Sequence, residues 1–263
     1  MNFFNKIIIL LTLLNCTQLS AEETLKEKSP LEPIFYSLDV SVNYLNWTAG
    51  TEDRSQQKDF SYLEVEGFAK WDIGEFYMYV DIENPTKNYS DKAPDNRRYV
   101  LKPVLDIKLF DTNFYLHVQD YMLYSENFYV NNLVIGLSYK LETDFGFWIK
   151  PFIGPHIQNS TYYSGNNGYM AGWVGAYDFE LFGARFSLSQ WHEFEFDRNE
   201  DHYQLKDGTP IGDGESDGVQ GAFCVWWHPA DEVTTGIQYR YANNKLGYNG
   251  YQAGYIYSIK YNF

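Results

Sequence analysis

Between Tyr62 and Glu83 the chain reads YLEVEGFAKWDIGEFYMYVDIE, with apolar residues at almost every second position and acidic, tyrosine or lysine side chains between them. A period of two sends successive side chains to opposite faces of a strand. Leu63, Val65, Gly67 and Ala69 share one face, against Tyr62, Glu64, Glu66, Phe68 and Lys70. After an Asp72-Ile73-Gly74 turn, Phe76, Met78, Val80 and Ile82 oppose Glu75, Tyr77, Tyr79, Asp81 and Glu83. A soluble sheet would bury the apolar face in a core. A membrane barrel would turn it toward lipid and the polar face toward a wet lumen.

The same alternation continues to the end of the chain. It predicts strands over Tyr36–Tyr44, Tyr99–Leu109, Phe114–Val118, Leu133–Leu141, Phe147–His156, Tyr169–Phe179, Phe182–Gln190, Val219–Trp227, Val233–Tyr241 and Tyr251–Phe263. With the hairpin above, the count is about twelve, an even number within the range of outer-membrane barrels. The connections support closure. Short turns are expected around 71–74, 110–112, 142–146, 180 and 229–232, and longer polar loops around 48–59, 84–96, 158–167, 193–217 and 242–249. A barrel inserted from one side keeps its short turns on that side and its long loops on the other, whereas Greek-key sandwiches have no such reason. Among the 24 Tyr, 19 Phe and 7 Trp, the rings of Tyr36, Tyr44, Trp47, Phe76, Phe147, Tyr169, Phe179, Trp227, Tyr239 and Tyr241 lie near strand ends on the apolar face, where amphipathic rings sit at headgroup level. The expected fold is an all-β, transmembrane, antiparallel up-and-down barrel in the bacterial outer membrane.

Charge and cysteine usage narrow the partners. A formal net charge of −15 argues against nucleic acid, because phosphate contacts need clustered Lys and Arg. Residues 1–21 read as a signal peptide, with Lys6, an apolar run from Ile7 to Leu14 and a small-residue end at Ser20-Ala21. That run is too short to span a bilayer as a helix, and Asn15 is too large to precede a lipidated Cys16. Residues 22–34 then form an N-terminal periplasmic segment and 35–263 the barrel. Without the leader, Cys224 is the one cysteine left, so no internal disulfide can form.

On this parity the lumen receives Tyr62, Glu64, Glu66, Phe68, Lys70, Tyr77, Tyr79 and Asp81, with Glu83 behind them and Arg185 as a basic member of the set. Rings at Phe68, Tyr77 and Tyr79 can stack on a flat base, worth ~1–3 kcal/mol each. Carboxylates accept hydrogen bonds from hydroxyls and amines. The plainer readings are that Glu64 and Glu66 pair with Lys102, Lys108, Lys150, Arg185 or Arg240, that Phe68 fills a narrow part of the lumen, and that the tyrosines form cross-strand ladders. His117, His156, His192, His202 and His228 sit in no recognisable nucleophile context, so no enzyme is expected. Asp213, Glu215 and Asp217 alternate as oxygen ligands do but lack the order of a calcium loop; a solvated acidic loop is expected, and no metal or cofactor.

The opening hairpin also resembles a known family, the nucleoside-specific channels of bacterial outer membranes, or Tsx-type porins, with the OmpK-like proteins. The resemblance runs through Tyr62, Leu63, Glu64, Glu66, Phe68, Ala69, Lys70, Asp72, Glu75, Phe76, Tyr77, Tyr79 and Asp81. The terminal Lys260-Tyr261-Asn262-Phe263 is similar to the last strand of many outer-membrane proteins, whose final aromatic is read by the barrel assembly machinery. The resemblance implies a twelve-strand monomeric barrel passing nucleosides and deoxynucleosides by facilitated diffusion, in contact with outer-membrane lipid and lipopolysaccharide. It also implies that some members serve as phage receptors. A porin for other small solutes, or a surface-loop receptor or adhesin barrel, remain the alternatives.

Overall fold

The computed structural model describes residues 32–263; the expected signal peptide lies outside them. Twelve strands follow one another: β1 (Phe35–Trp47), β2 (Phe60–Trp71), β3 (Gly74–Glu83), β4 (Arg98–Lys108), β5 (Phe114–Tyr124), β6 (Tyr129–Tyr139), β7 (Phe147–Ser160), β8 (Ser164–Leu181), β9 (Ala184–Phe196), β10 (Gly218–Ala230), β11 (Val233–Lys245) and β12 (Tyr248–Asn262). A two-residue extension of β6, Leu141–Glu142, pairs with the start of β7. Each strand pairs antiparallel with the one before it, and β1 pairs with β12 from Asp39↔Asn262 to Trp47↔Gly254. That last ladder closes the sheet and removes both edges, as a hydrocarbon environment requires. No helix among the described residues is long and apolar enough to cross a membrane; the chain crosses with strands.

Several strands run further than their apolar pattern. The loop expected at 158–167 shrinks to residues 161–163, because β7 continues to Ser160 and β8 begins at Ser164. The loop expected at 242–249 shrinks to residues 246–247. Asn, Gln, Ser and Gly mark loops by composition, but here their backbones pair and their side chains bond to one another. Asn167 donates to Gln158 at 2.8 Å and Gln252 to the Lys245 carbonyl at 2.7 Å. Three long connections remain: 48–59 with helix α1 (Ala49–Ser55), 84–97, and 197–217 with the short helix α2 (Glu200–Tyr203). The first two are linked by Lys58 Nζ on Asp95 Oδ2 at 2.7 Å, which holds that loop carboxyl below its usual range.

Burial is inverted relative to a soluble protein. Val225, Ile237 and Ile259 are half exposed on the outer face, while Glu195, Asp106 and Ser41 on the inner face are each 1% exposed. Charges in such a space must be paired or hydrogen-bonded. Toward the short-turn end, Asp106 accepts from Lys150 at 2.5 Å, Ser138 at 2.6 Å and His117 at 2.8 Å. Glu75 takes Lys140 at 2.5 Å and Lys150 at 3.1 Å. The His117 ring in turn stacks on Phe152 with centroids 4.5 Å apart. This knot ties β3, β4, β5, β6 and β7 from within.

Removing one partner of a buried pair leaves the others uncompensated, at about 3–5 kcal/mol. Lys150→Met is therefore expected to lower the temperature at which the folded barrel loses its compact mobility in electrophoresis, and Lys108→Met to leave it unchanged. The tight β2–β3 turn gives a second expectation. A Cβ at Gly74 would stand 2.2 Å from the Asp106 carbonyl oxygen, so Gly74→Ala should lower the same temperature.

Candidate functional site in the barrel lumen

The β2–β3 register places the opening hairpin's polar residues in direct inward pairs: Tyr62↔Glu83, Glu64↔Asp81, Glu66↔Tyr79, Phe68↔Tyr77 and Lys70↔Glu75. All eight hairpin residues singled out from the sequence share the inner face, although they occupy different environments. Tyr62 is buried near the long-loop end in a cluster with Leu45, Trp47 and Ile256. Glu66 receives Lys260 Nζ at 2.5 Å, a partner absent from the five bases considered above. Glu64 accepts from Ser41 Oγ at 3.3 Å. Phe68 lies 6.0 Å from Phe35, and Tyr77 meets Tyr79 edge-on at 6.2 Å. Lys70 lines a polar cavity of about 200 Å³ at the short-turn mouth, with Glu75, Lys108, Tyr115 and Glu142. Arg185 stands apart from the hairpin: it pairs with Asp231 at 2.7 Å on the rim, and both side chains are at least half exposed.

Lys102 and Arg240, expected as partners of Glu64 and Glu66, serve other groups across the lumen. Lys102 on β4 and Glu193 on β9, five strands away around a ring of twelve, meet at 2.6 Å. Gln119 and Gln220 each donate to the same Glu193 carboxylate at 2.7 Å. Gln220 also accepts from Arg240 at 2.9 Å. The Arg240 guanidinium lies 4.5 Å from the centre of the Trp191 ring, and Lys102 Nζ 5.6 Å from it, geometries in which a ring face attracts a cation. Tyr79 stands directly across the β3–β4 ladder from Lys102, at the level of the belt. Five strands thus build a belt of alternating charge, amide and aromatic ring across the middle of the barrel. Parity turns Lys102 and Gln119 inward; Glu193, expected at the head of the polar loop 193–217, lies instead within β9, which runs on to Phe196, and nothing local in the sequence says that it touches Lys102.

The long-loop end is pinned by a second charged knot. Arg198 donates to Glu195 at 2.8 Å and to the carbonyl of Asn244 at 2.8 Å, and Lys245 bonds the other Glu195 oxygen. Asp213 accepts from the Gly247 amide at 2.7 Å, so this acid latches loop 197–217 to the β11–β12 turn instead of standing free in solvent. His192 lies on the outer face, stacked on Trp173 at 4.3 Å and bonded to Tyr241 at 2.7 Å, away from His202. Ser187 Oγ is 2.7 Å from His228 Nε2, but His228 Nδ1 turns to Thr234 and Asp178 bonds Ser187. A nucleophile and base would need that carboxylate on the far side of the imidazole.

Comparison with solved structures finds similar barrels. The NanC porin is 14% identical, with a TM-score of 0.50, over 85% of this chain and 98% of that one. An outer membrane channel from Pseudomonas putida F1 is 12% identical, with a TM-score of 0.44, over 91% and 99%. At 14% identity the likeness to the NanC porin is one of fold. The family model for the nucleoside-specific channel-forming protein Tsx matches residues 42–263, nearly the whole barrel, including the hairpin, the cross-lumen belt and the terminal strand. The chain is an outer-membrane β-barrel with the fold of a channel-forming porin, and it belongs to the Tsx family of nucleoside-specific channel-forming proteins.

Proposed function

We propose that this barrel carries nucleosides and deoxynucleosides across the outer membrane by facilitated diffusion, and that the opening hairpin and the cross-lumen belt together form the selective passage. The observation that carries this reading is the composition of the belt and the wall facing it. Trp191 with Arg240, and Tyr79 with Glu66 beside it, bring flat rings and hydrogen-bonding groups to one level of the lumen. A nucleoside is a flat base joined to a neutral ribose rich in hydroxyls. Rings take the base, and carboxylates and amides take hydroxyls and exocyclic amines. Release must stay easy, as conduction requires binding that is weak enough to leave.

The Lys102–Glu193 bridge gives the passage its selectivity. A neutral solute with several donors and acceptors can replace the bridge's hydrogen bonds as it passes, whereas a small ion meets both signs of charge fixed across the lumen. The partners follow from the same reading: outer-membrane lipid and lipopolysaccharide around the apolar wall, the barrel assembly machinery at the exposed C-terminal Phe263, and phage at the loops. The same reading takes the barrel as a monomer, its wall closed within one chain by the β1–β12 ladder.

In planar bilayers the purified protein should conduct, and adenosine or thymidine should reduce the ion current in a saturable way; conductance with no nucleoside block would leave only a general porin. Phe68→Ala and Trp191→Ala should each weaken the block at least about fivefold, as the loss of ~1 kcal/mol or more of stacking implies. Asp95→Ala, in an exposed loop, should not, and equal effects would sink the site assignment. Lys102→Met with Glu193→Gln should raise the ion conductance while reducing discrimination between nucleosides and simple sugars. An unchanged conductance would mean that the bridge does not limit the passage.

A further inference from the structure

The lumen contains one charged group whose account does not balance. Asp39, Glu64 and Glu66 lie side by side on β1 and β2, and one carboxylate oxygen from each falls within 4.8 Å of the others. The β2–β3 register sets Asp81 directly across from Glu64. Asp81 is 8% exposed, it faces Glu64 carboxyl to carboxyl, and its Oδ1 has no hydrogen-bond partner among the described residues. Against these four acids stands Lys260, 2.5 Å from Glu66 and 3.4 Å from Asp39, and held in place under the Trp226 ring at 5.0 Å. Elsewhere in the lumen the pairing is closer: Asp106 and Glu75 have two lysines between them, and Glu193 has a lysine and two amides.

From this geometry we propose that Asp39, Glu64, Glu66 and Asp81 form a binding site for a hard divalent cation of calcium size in the lumen wall. Oxygen ligands around Ca²⁺ lie 2.3–2.6 Å from the ion, so opposing oxygens are separated by up to about 5 Å; the three-acid cluster fits within that span. The chemistry of the set is equally selective. It offers only carboxylate oxygens, with no imidazole and no thiolate, which suits calcium or magnesium over zinc or copper. Calcium accepts irregular, flexible geometry where magnesium demands a near-ideal octahedron, and four acids on three neighbouring strands are irregular. Asn43 adds a neutral oxygen nearby: it is 1% exposed, its amide donates to Ser41 at 2.7 Å, and its Oδ1 is unpartnered. Ser41 in turn reaches Glu64. The site opens to the lumen, since the Glu66 and Asp39 side chains keep 26% and 18% of their surface, so an ion can enter without unfolding the wall. Lys260 occupies one corner, tethered to Glu66, and serves as a fixed internal cation that a divalent ion supplements. The site stands independently of what solute the channel carries.

The test uses the full barrel in detergent with terbium(III) as a luminescent stand-in for calcium, excited through Trp226 and Tyr77. A saturable emission that Ca²⁺ displaces is expected. Glu64→Gln with Asp81→Asn should weaken binding about tenfold or more, because removing ligand charge lowers affinity steeply. Glu142→Gln, an exposed acid at the short-turn end, should leave it unchanged. Heat-dependent electrophoretic mobility reports whether each variant is a folded barrel. Lys260→Met keeps all four acids while removing the competing ammonium, so it should bind at least as tightly as the parent protein. The proposal fails if the parent shows no saturable, calcium-displaceable emission, if the double variant keeps it, or if Lys260→Met binds more weakly.

Discussion

In hydrocarbon an unpaired backbone amide or carbonyl has no solvent to bond with, and each one left open costs several kcal/mol. The nine-pair ladder between β1 and β12 is therefore the contact on which the rest depends. It joins the first strand to the last, so all twelve must be in place before the edges disappear. Once the ring is closed, the pleat assigns every side chain to lipid or to lumen, and the apolar surface that would be a core elsewhere becomes an outer wall.

Closure creates the problem that the lumen residues solve. A barrel of this size brings long charged side chains close together in a space with little water, where separate charges are expensive and paired ones tolerable. The structure answers with three knots at three heights. Asp106 and Glu75 share Lys150 near the short turns, where Glu75 also takes Lys140; Glu193 meets Lys102 at mid-height; Glu195 holds Arg198 and Lys245 beneath the long loops. The same pairings that stabilise the wall also narrow the passage. Stability and selectivity in this channel thus draw on the same side chains, and the acidic patch around Glu64 is where the pairing is least complete.

Much of this was legible from period and punctuation alone. The alternation from Tyr62 to Glu83 predicted both faces of the hairpin, and every inward residue it named is inward. Strand ends were less legible, because Gln158, Asn159 and Asn243 read as loop residues until their backbones are seen paired. Partners were least legible. Glu66 was matched against five bases, and its actual partner, Lys260, had been read as part of a terminal targeting signal. Lys150, one of the five, serves Glu75 and Asp106.

Alternation alone specifies a wall with one greasy and one polar side, a barrel of about twelve strands, and the inward face of the opening hairpin. These are local properties, written in a period of two that each strand carries on its own. That Lys102 meets Glu193 across the barrel, that Arg198 buries itself under the longest loop, and that Lys260 reaches both Asp39 and Glu66 follows from the closed sheet alone. Those contacts join residues from 3 positions apart, as in Arg198 and Glu195, to 194, as in Lys260 and Glu66, and their geometry depends on how far each strand slides past its neighbour before the ring closes. No single strand records that shift; it is a property of the closed sheet.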